Sequence, residues 1–262
     1  MKTYAVIDIG TLKVKTEVAS INADGTLNRM YNSNNLTCFG VGLDENNGNV
    51  LEEYLDRTIA ELLRIKRVLG EYGVTQFKIV STHAMRRAAN REYVLEKMQN
   101  ETQLQIENIS QEQEAELFFK AVTRTFQDET KEYAVVDVGG GSVQVLIGNK
   151  SKLKKSHMMQ TGAQYLHEVF TQNPHSKDAF TTEDDIEKMR QRIIDELVSF
   201  EPEKNIPLIY GSSMIIDVMK HLNLPLDRHC ESTAHPYKTY ATHLNAFLHE
   251  ILPLSMEQRE TT

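Results

Sequence analysis

The sequence predicts an α/β protein of two related lobes, each a mixed sheet flanked by helices. Two observations carry this. Ala5-Val6-Ile7-Asp8-Ile9-Gly10 is echoed by Ala134-Val135-Val136-Asp137-Val138-Gly139, each a β-branched run closed by an aspartate and a glycine turn. Both copies are followed by a second alternating stretch, Val14, Thr16, Val18 in the first and Val143, Val145, Ile147 in the second. Each copy therefore reads as strand, tight turn, strand, and a unit that recurs once per half argues for two related lobes. The second observation is that strand-like and helix-like segments alternate along the chain, the pattern of sheets covered by helices. At 262 residues the chain has room for two domains of ordinary size, expected at 1–126 and 127–262.

The elements follow in order. Leu51, Leu55, Ile59, Leu62 and Leu69 recur at helical spacing, and Gly70 and Gly73 supply stop signals. Phe77–Ser81 reads as a short strand, Met85–Met98 as one helix, and Ile106 and Ile109 flank another short strand. Ser110 and Gln113 form an S-x-x-Q capping box. The helix they open has Ala115, Phe118, Phe119, Val122 and Phe126 as its apolar stripe. In the second half, Leu153–Met159 reads as a third strand and Tyr165–Phe170 as a short helix, followed by a loop over Asn173–Lys177. Thr182 and Asp185 open a helix with Ile186, Met189, Ile193 and Leu197 on one face. Pro207–Tyr210 reads as a buried strand, and Ser212–Leu222 and Thr239–Leu252 as helices.

Composition excludes several classes. An apolar fraction of 40% supports a sizeable core. With 29 Lys and Arg against 37 Asp and Glu, the net charge is −8, which argues against a nucleic-acid coat; any bound polyanion needs a local site of glycines, a few cations and a metal. The two cysteines, Cys38 and Cys230, form neither a disulfide framework nor a zinc pattern. Five of the nine histidines, His221, His229, His235, His243 and His249, lie near the C-terminus and lack helical metal-pair spacing. No apolar run matches a signal peptide or a membrane span, so the expectation is a cytoplasmic protein that binds no nucleic acid and no membrane.

Chemistry concentrates in the glycine turns. Asp137-Val138-Gly139-Gly140-Gly141-Ser142 lets the backbone approach a ligand closely, successive N–H groups there can form an anion nest, and an aspartate at the strand end can hold a metal directly or through water. As a bare pattern it is equally a glycine hairpin with an aspartate turn former. The partner segment Asp8-Ile9-Gly10-Thr11 favours the phosphate reading, since a phosphate chain held between two lobes needs one such hairpin from each.

These residues resemble the actin-like ATPase superfamily, with its ribonuclease H-like lobes, and within it the exopolyphosphatase/guanosine pentaphosphate phosphohydrolase (Ppx/GppA) family. Asp8–Thr11 resembles the first phosphate loop of that family. Ser81–Arg91 resembles its A-T-x-A-L-R-x-A-x-N-R signature, Ile109–Ala115 its I-S-x-x-E-E-A segment, and Val136–Ser142 its I-D-I-G-G-G-S loop. Gly162 falls at its L-G turn. The likeness runs from about Tyr4 to Arg259. It implies that Glu114 activates the attacking water and that Asp137 holds magnesium and orients water, with Glu114 and position 144 contributing to the metal site. It further implies that Asp8, Gly10, Thr11, Gly139, Gly140, Gly141 and Ser142 bind phosphate oxygens, and that Arg86 and Lys15 stabilise charge on the transferring phosphoryl group. The implied cofactor is Mg2+ and the implied partner is inorganic polyphosphate or guanosine pentaphosphate, with a homodimer left open.

Some positions depart from the family pattern. Leu12 and Lys13 replace Asn or Tyr and Ser in the first loop, Gln144 replaces a glutamate, and Gly211-Ser212-Ser213-Met214 replaces a G-x-G-G-T loop. The expected function is release of terminal phosphate from polyphosphate or guanosine pentaphosphate. The alternative is a sensor of the same fold that binds without turnover.

Overall fold

The computed structural model describes residues 2–124, 126, 128–176, 179–198, 200, 206–210, 220, 227–228, 237–238 and 241–251. The Gly211–Met214 loop, Cys230, His221, His229, His235 and the stretch from Leu252 lie outside these residues, as does nearly all of the expected helix over 212–222. The chain divides into two compact units, Met1–Glu114 and Ala115–Thr262.

In the first unit, strands β1 (Thr3–Ile9), β2 (Lys13–Ile21), β3 (Leu27–Leu36), β4 (Gln76–Ser81) and β5 (Glu107–Asn108) form one sheet in the order β3-β2-β1-β4-β5. β1 runs antiparallel to β2 and parallel to β4. Side chains alternate across a strand. Ala5, Ile7 and Ile9 of β1 therefore point into the core, while Val6 on the other face is 54% exposed and Asp8 is half-buried. Helix α1 (Glu52–Glu71) closes the inner face with Leu55, Ile59, Leu62 and Ile65, which join Ala5, Ile7, Ile9, Val14 and Ile79 in one core. Asp8 is thus set on the face opposite the core by strand periodicity alone.

The expected single helix over Met85–Met98 is two, α2 (His83–Arg87) and α3 (Arg91–Thr102). Ala88 takes an extended conformation (φ −60°, ψ 121°). Asn90 accepts from the Val50 amide at 3.0 Å and donates to the Val50 carbonyl at 3.2 Å. That side chain mimics a strand partner, so a tertiary contact interrupts a helical pattern. β3 was not expected from the sequence at all. Its run Leu-Asn-Arg-Met-Tyr-Asn-Ser-Asn-Asn-Leu is poor in β-formers, and its antiparallel pairing with β2, not local propensity, makes it a strand.

Helix α4 (Gln111–Thr123) opens with the expected capping box: the Gln113 side chain accepts from the Ser110 amide at 2.9 Å, and Ser110 Oγ accepts from the Gln113 amide at 3.2 Å. Its Ala115, Phe119 and Val122 build the second unit's core together with Phe126, Val135 and Leu146. There, β6 (Tyr133–Val138), β7 (Val143–Asn149), β8 (Lys152–Met159) and β9 (Leu208–Tyr210) form a sheet in the order β8-β7-β6-β9. β6 is antiparallel to β7 and parallel to β9. This repeats the β3-β2-β1-β4 arrangement of the first unit strand for strand. Helices α5 (Ala163–Phe170) and α6 (Glu183–Leu197) follow, α6 with a capping box between Thr182 and Asp185. The two-stranded sheet of β10 (Asp227–Arg228) and β11 (Tyr237–Lys238) and helix α7 (Ala241–Ile251) complete the described elements.

Candidate active site

The two glycine turns are the same structure. In the first unit the Gly10 amide donates to the Lys13 carbonyl at 3.0 Å; in the second the Gly139 amide donates to the Ser142 carbonyl at 2.9 Å. A Cβ would meet that carbonyl at 3.2 Å on Gly10 and 3.1 Å on Gly139, so both turns are tight enough to disfavour a side chain. The residue seven after each aspartate lies directly across the hairpin: Asp8 pairs with Lys15 and Asp137 with Gln144. Directly paired residues of antiparallel strands share a face. Asp8 therefore faces a cation, and Asp137 a neutral amide.

Asp8 carries an unmet demand. Its Oδ1 is buried without a hydrogen-bond partner. Burial pushes its carboxyl above the usual range, and Lys15 pulls it part of the way back. A buried carboxylate oxygen left without a donor is expensive and would be satisfied by a cation or by a cation's water. Lys13 and Lys15, two apart in β2, lie on the same face.

The signature segment is tied to the first loop. The Thr82 amide donates to the Ile9 carbonyl at 3.4 Å. Gly40 donates to the Thr11 carbonyl at 2.8 Å, and its own Cβ position lies 2.7 Å from Thr11 Cγ2 and 2.8 Å from Ala84 Cβ. Three turns of chain therefore meet at Gly40, where only glycine fits. Leu12, the departure in the loop, offers its carbonyl to the amides of both Thr37 and Cys38 at 2.9 Å, with Cys38 in the left-handed region (φ 59°). This bracing segment, Thr37–Gly40, was missed from the sequence; the Gly40-Val41-Gly42 pair was its one visible signal.

From α2, Arg86 reaches Glu114 at 2.7 Å through Nη2 and the Ile109 carbonyl at 3.1 Å through Nη1. Both side chains are about four-fifths buried (18% and 21% exposed). The structure thus brings Arg86 and Glu114 together, and the Ser110 capping box fixes the helix turn that carries Glu114. His83, in the variable position of the signature, is buried with its Nε2 unpartnered. Burial first, then Arg87 and Arg86, lower its pKa to about 4.

In the second unit the loop's amides are oriented by α5. The amides of Ala163 and Gln164 donate to the carbonyls of Gly139 and Gly140 at 2.9 and 2.7 Å. In a planar trans peptide the next N–H points opposite to the carbonyl. The Gly140 and Gly141 amides therefore point away from α5, and no backbone carbonyl among the described residues accepts from them. Two adjacent amides directed away from α5 are donors of the kind an anion nest uses. Gly162 makes the approach: a Cβ there would lie 2.3 Å from the Gly140 oxygen and the Ser142 nitrogen. Ser142 and Gln144 are buried (8% and 3% exposed), and Asp137 is half-buried.

Among the described residues no three His, Cys, Asp or Glu side chains form a ready cage for a metal. Magnesium needs none: it keeps several waters and binds through one or two carboxylates plus substrate phosphates. In the first unit the orphaned oxygen of Asp8, and in the second the carboxylate of Asp137, are each hard oxygen donors of the kind magnesium takes.

The Ppx/GppA phosphatase family model matches residues 18–229. The chain belongs to the Ppx/GppA phosphatase family. It is 30% identical over 177 residues to a bifunctional 3-dehydroquinate synthase/phosphatase of Fusobacterium nucleatum, covering 64% of this chain and 26% of that protein. It is 30% identical over 159 residues to a guanosine-5'-triphosphate,3'-diphosphate pyrophosphatase of Vibrio parahaemolyticus, covering 61% of this chain and 31% of that one. The chain thus spans a third or less of the length of these relatives. An exopolyphosphatase structure from Cytophaga hutchinsonii superposes with a TM-score of 0.79 at 23% identity, covering 98% of this chain and 82% of that one, a likeness of fold. The expected actin-like class, two mixed sheets with helices, holds for this family member. No described helix is long and apolar enough to cross a membrane.

Proposed function

We propose that this Ppx/GppA family member hydrolyses the terminal phosphoanhydride bond of inorganic polyphosphate or guanosine pentaphosphate. The observation that carries the reading is the α5-oriented pair of Gly140 and Gly141 amides, paired by sequence repeat with the hairpin of Asp8 and Gly10. Those amides and the Thr11 and Ser142 segments bind phosphate oxygens. Lys15 and Arg86 offset charge on the phosphoryl group, a mostly electrostatic task. Glu114, held by Arg86, takes a proton from water as its oxygen bonds to the terminal phosphorus. The bridging P–O bond breaks, and the shortened chain leaves with the bridging oxygen. Magnesium, held partly by Asp137, would neutralise phosphate charge when bound.

One observation favours the sensor alternative. Gln144, buried across from Asp137, brings no charge where a metal site gains from one. The test is orthophosphate release from each substrate with and without magnesium, against Asp137→Ala. An enzyme releases phosphate that the variant does not. A sensor binds, raising its melting temperature by mass action, while release stays at the level of the variant.

A further inference from the structure

We infer that Glu196 is a positioning residue for the phosphate loop, acting from α6 through the strap of residues 160–162. The inference rests on the proposed role of the Gly139–Ser142 loop. The Glu196 carboxylate accepts from the Gln160 amide at 2.8 Å and from Thr161 Oγ1 at 3.2 Å, and both donors use the same oxygen, Oε2. Thr161 is fully buried. The next residue is Gly162, where a Cβ would lie within 2.4 Å of the backbone of Gly140, Gly141 and Ser142, and the two after it donate to the carbonyls of Gly139 and Gly140. The direction of the two phosphate-facing amides is therefore set by the strap, and the strap is anchored by one carboxylate oxygen.

The placement of Glu196 makes little sense as a helix stabiliser. It sits in the last turn of α6, which holds no basic residue, and an acid there opposes the helix dipole. Its other oxygen, Oε1, forms an i,i+4 ion pair with Arg192 at 2.9 Å without a hydrogen bond, in the order that suits a helix less well. Arg192 in turn stacks over the Tyr165 ring of α5 at 5.9 Å. One turn of α6 thus holds both the strap and the helix that the strap opens, and the contact Glu196 makes with the strap is acceptance of two hydrogen bonds.

The test uses the full chain, with tripolyphosphate and magnesium as the binding probe. Groups that orient ligand-binding atoms from behind typically contribute roughly 10–100-fold. Glu196→Ala should weaken tripolyphosphate binding by about that factor and speed amide hydrogen exchange in peptides covering 139–142 and 160–166. Glu196→Gln, whose amide oxygen can still accept both bonds, should restore binding and exchange to near wild type. The inference is overturned if Glu196→Ala lowers the melting temperature while loop exchange and binding stay unchanged, or if Glu196→Gln is as damaging as alanine. If the wild-type protein fails to bind tripolyphosphate, the phosphate reading is what has failed. Loop exchange in Glu196→Ala still decides whether Glu196 positions the loop.

Discussion

Replacing Gly162 by alanine tests the link between packing and chemistry most directly. The added carbon would sit 2.3 Å from the Gly140 oxygen, 2.3 Å from the Ser142 nitrogen and 2.4 Å from the Gly141 carbonyl carbon. All three are backbone atoms, so no side chain can rotate aside. Carbon–oxygen contacts settle near about 3.3 Å, and the loop and the start of α5 must therefore separate by about 1 Å. The backbone at Gly162 is extended (φ −81°, ψ 172°), so the effect is one of space and not of conformation. Overpacking of this kind costs about 1–3 kcal/mol, and a misplacement of about 1 Å at a reacting group costs on the order of 100-fold in rate. Two controls carry the same chemical change. Gly70, in α1, has nothing within 4 Å of its Cβ position, and alanine there should stabilise the helix by up to about 1 kcal/mol. Gly148 would clash equally, at 2.3 Å from the Lys152 oxygen, but lies at the other end of β7 from the loop. The assay is orthophosphate release at a temperature where circular dichroism shows all three variants folded. Gly162→Ala should lose about two orders of magnitude while Gly148→Ala, though destabilised, retains wild-type turnover. If the two lose activity alike, strap-to-loop contact is not what orients the site.

Three further outcomes are expected. His83 has a pKa of about 4 when folded against 6.5 in the unfolded chain, so the unfolded state binds more protons between these values. The stability this group contributes is present above pH 6.5 and lost as pH falls through 4. At about 1.4 kcal/mol per pH unit the loss reaches about 3 kcal/mol. Urea midpoints should fall more steeply on acidification in wild type than in His83→Gln, and parallel curves would refute the assignment. Glu114→Gln should reduce phosphate release by ~10²–10⁴-fold with the fold intact by circular dichroism; turnover at the wild-type level would remove Glu114 from its role. Gln144→Glu, placing a second carboxylate across from Asp137, should lower the magnesium concentration for half-maximal activity by roughly 10-fold or more, whereas an unchanged magnesium dependence would show that position 144 does not reach the metal.

Much of this was legible in the sequence because it is local. β-branched runs with aspartate-glycine ends make the β1 and β6 hairpins, and strand periodicity alone puts Asp8 on the face away from the core. The Ser110–Gln113 and Thr182–Asp185 capping boxes set two helix starts within four residues of chain. The seven-residue offset that faces Asp8 with Lys15 and Asp137 with Gln144 is hairpin register, fixed by the length of the turn. What tertiary structure decided lies where partners are distant in sequence. β3 is a strand only because β2 pairs with it. The helix expected over Met85–Met98 breaks because Asn90 bonds the backbone of Val50, forty residues away. Arg86 and Glu114, each readable as a surface charge, become a largely buried pair only when α2 and the start of α4 meet. The direction of the Gly140 and Gly141 amides depends on α5, and through the strap on Glu196. No pattern in sequence records which way a peptide plane faces, because glycine permits every orientation and only its neighbours in space choose one.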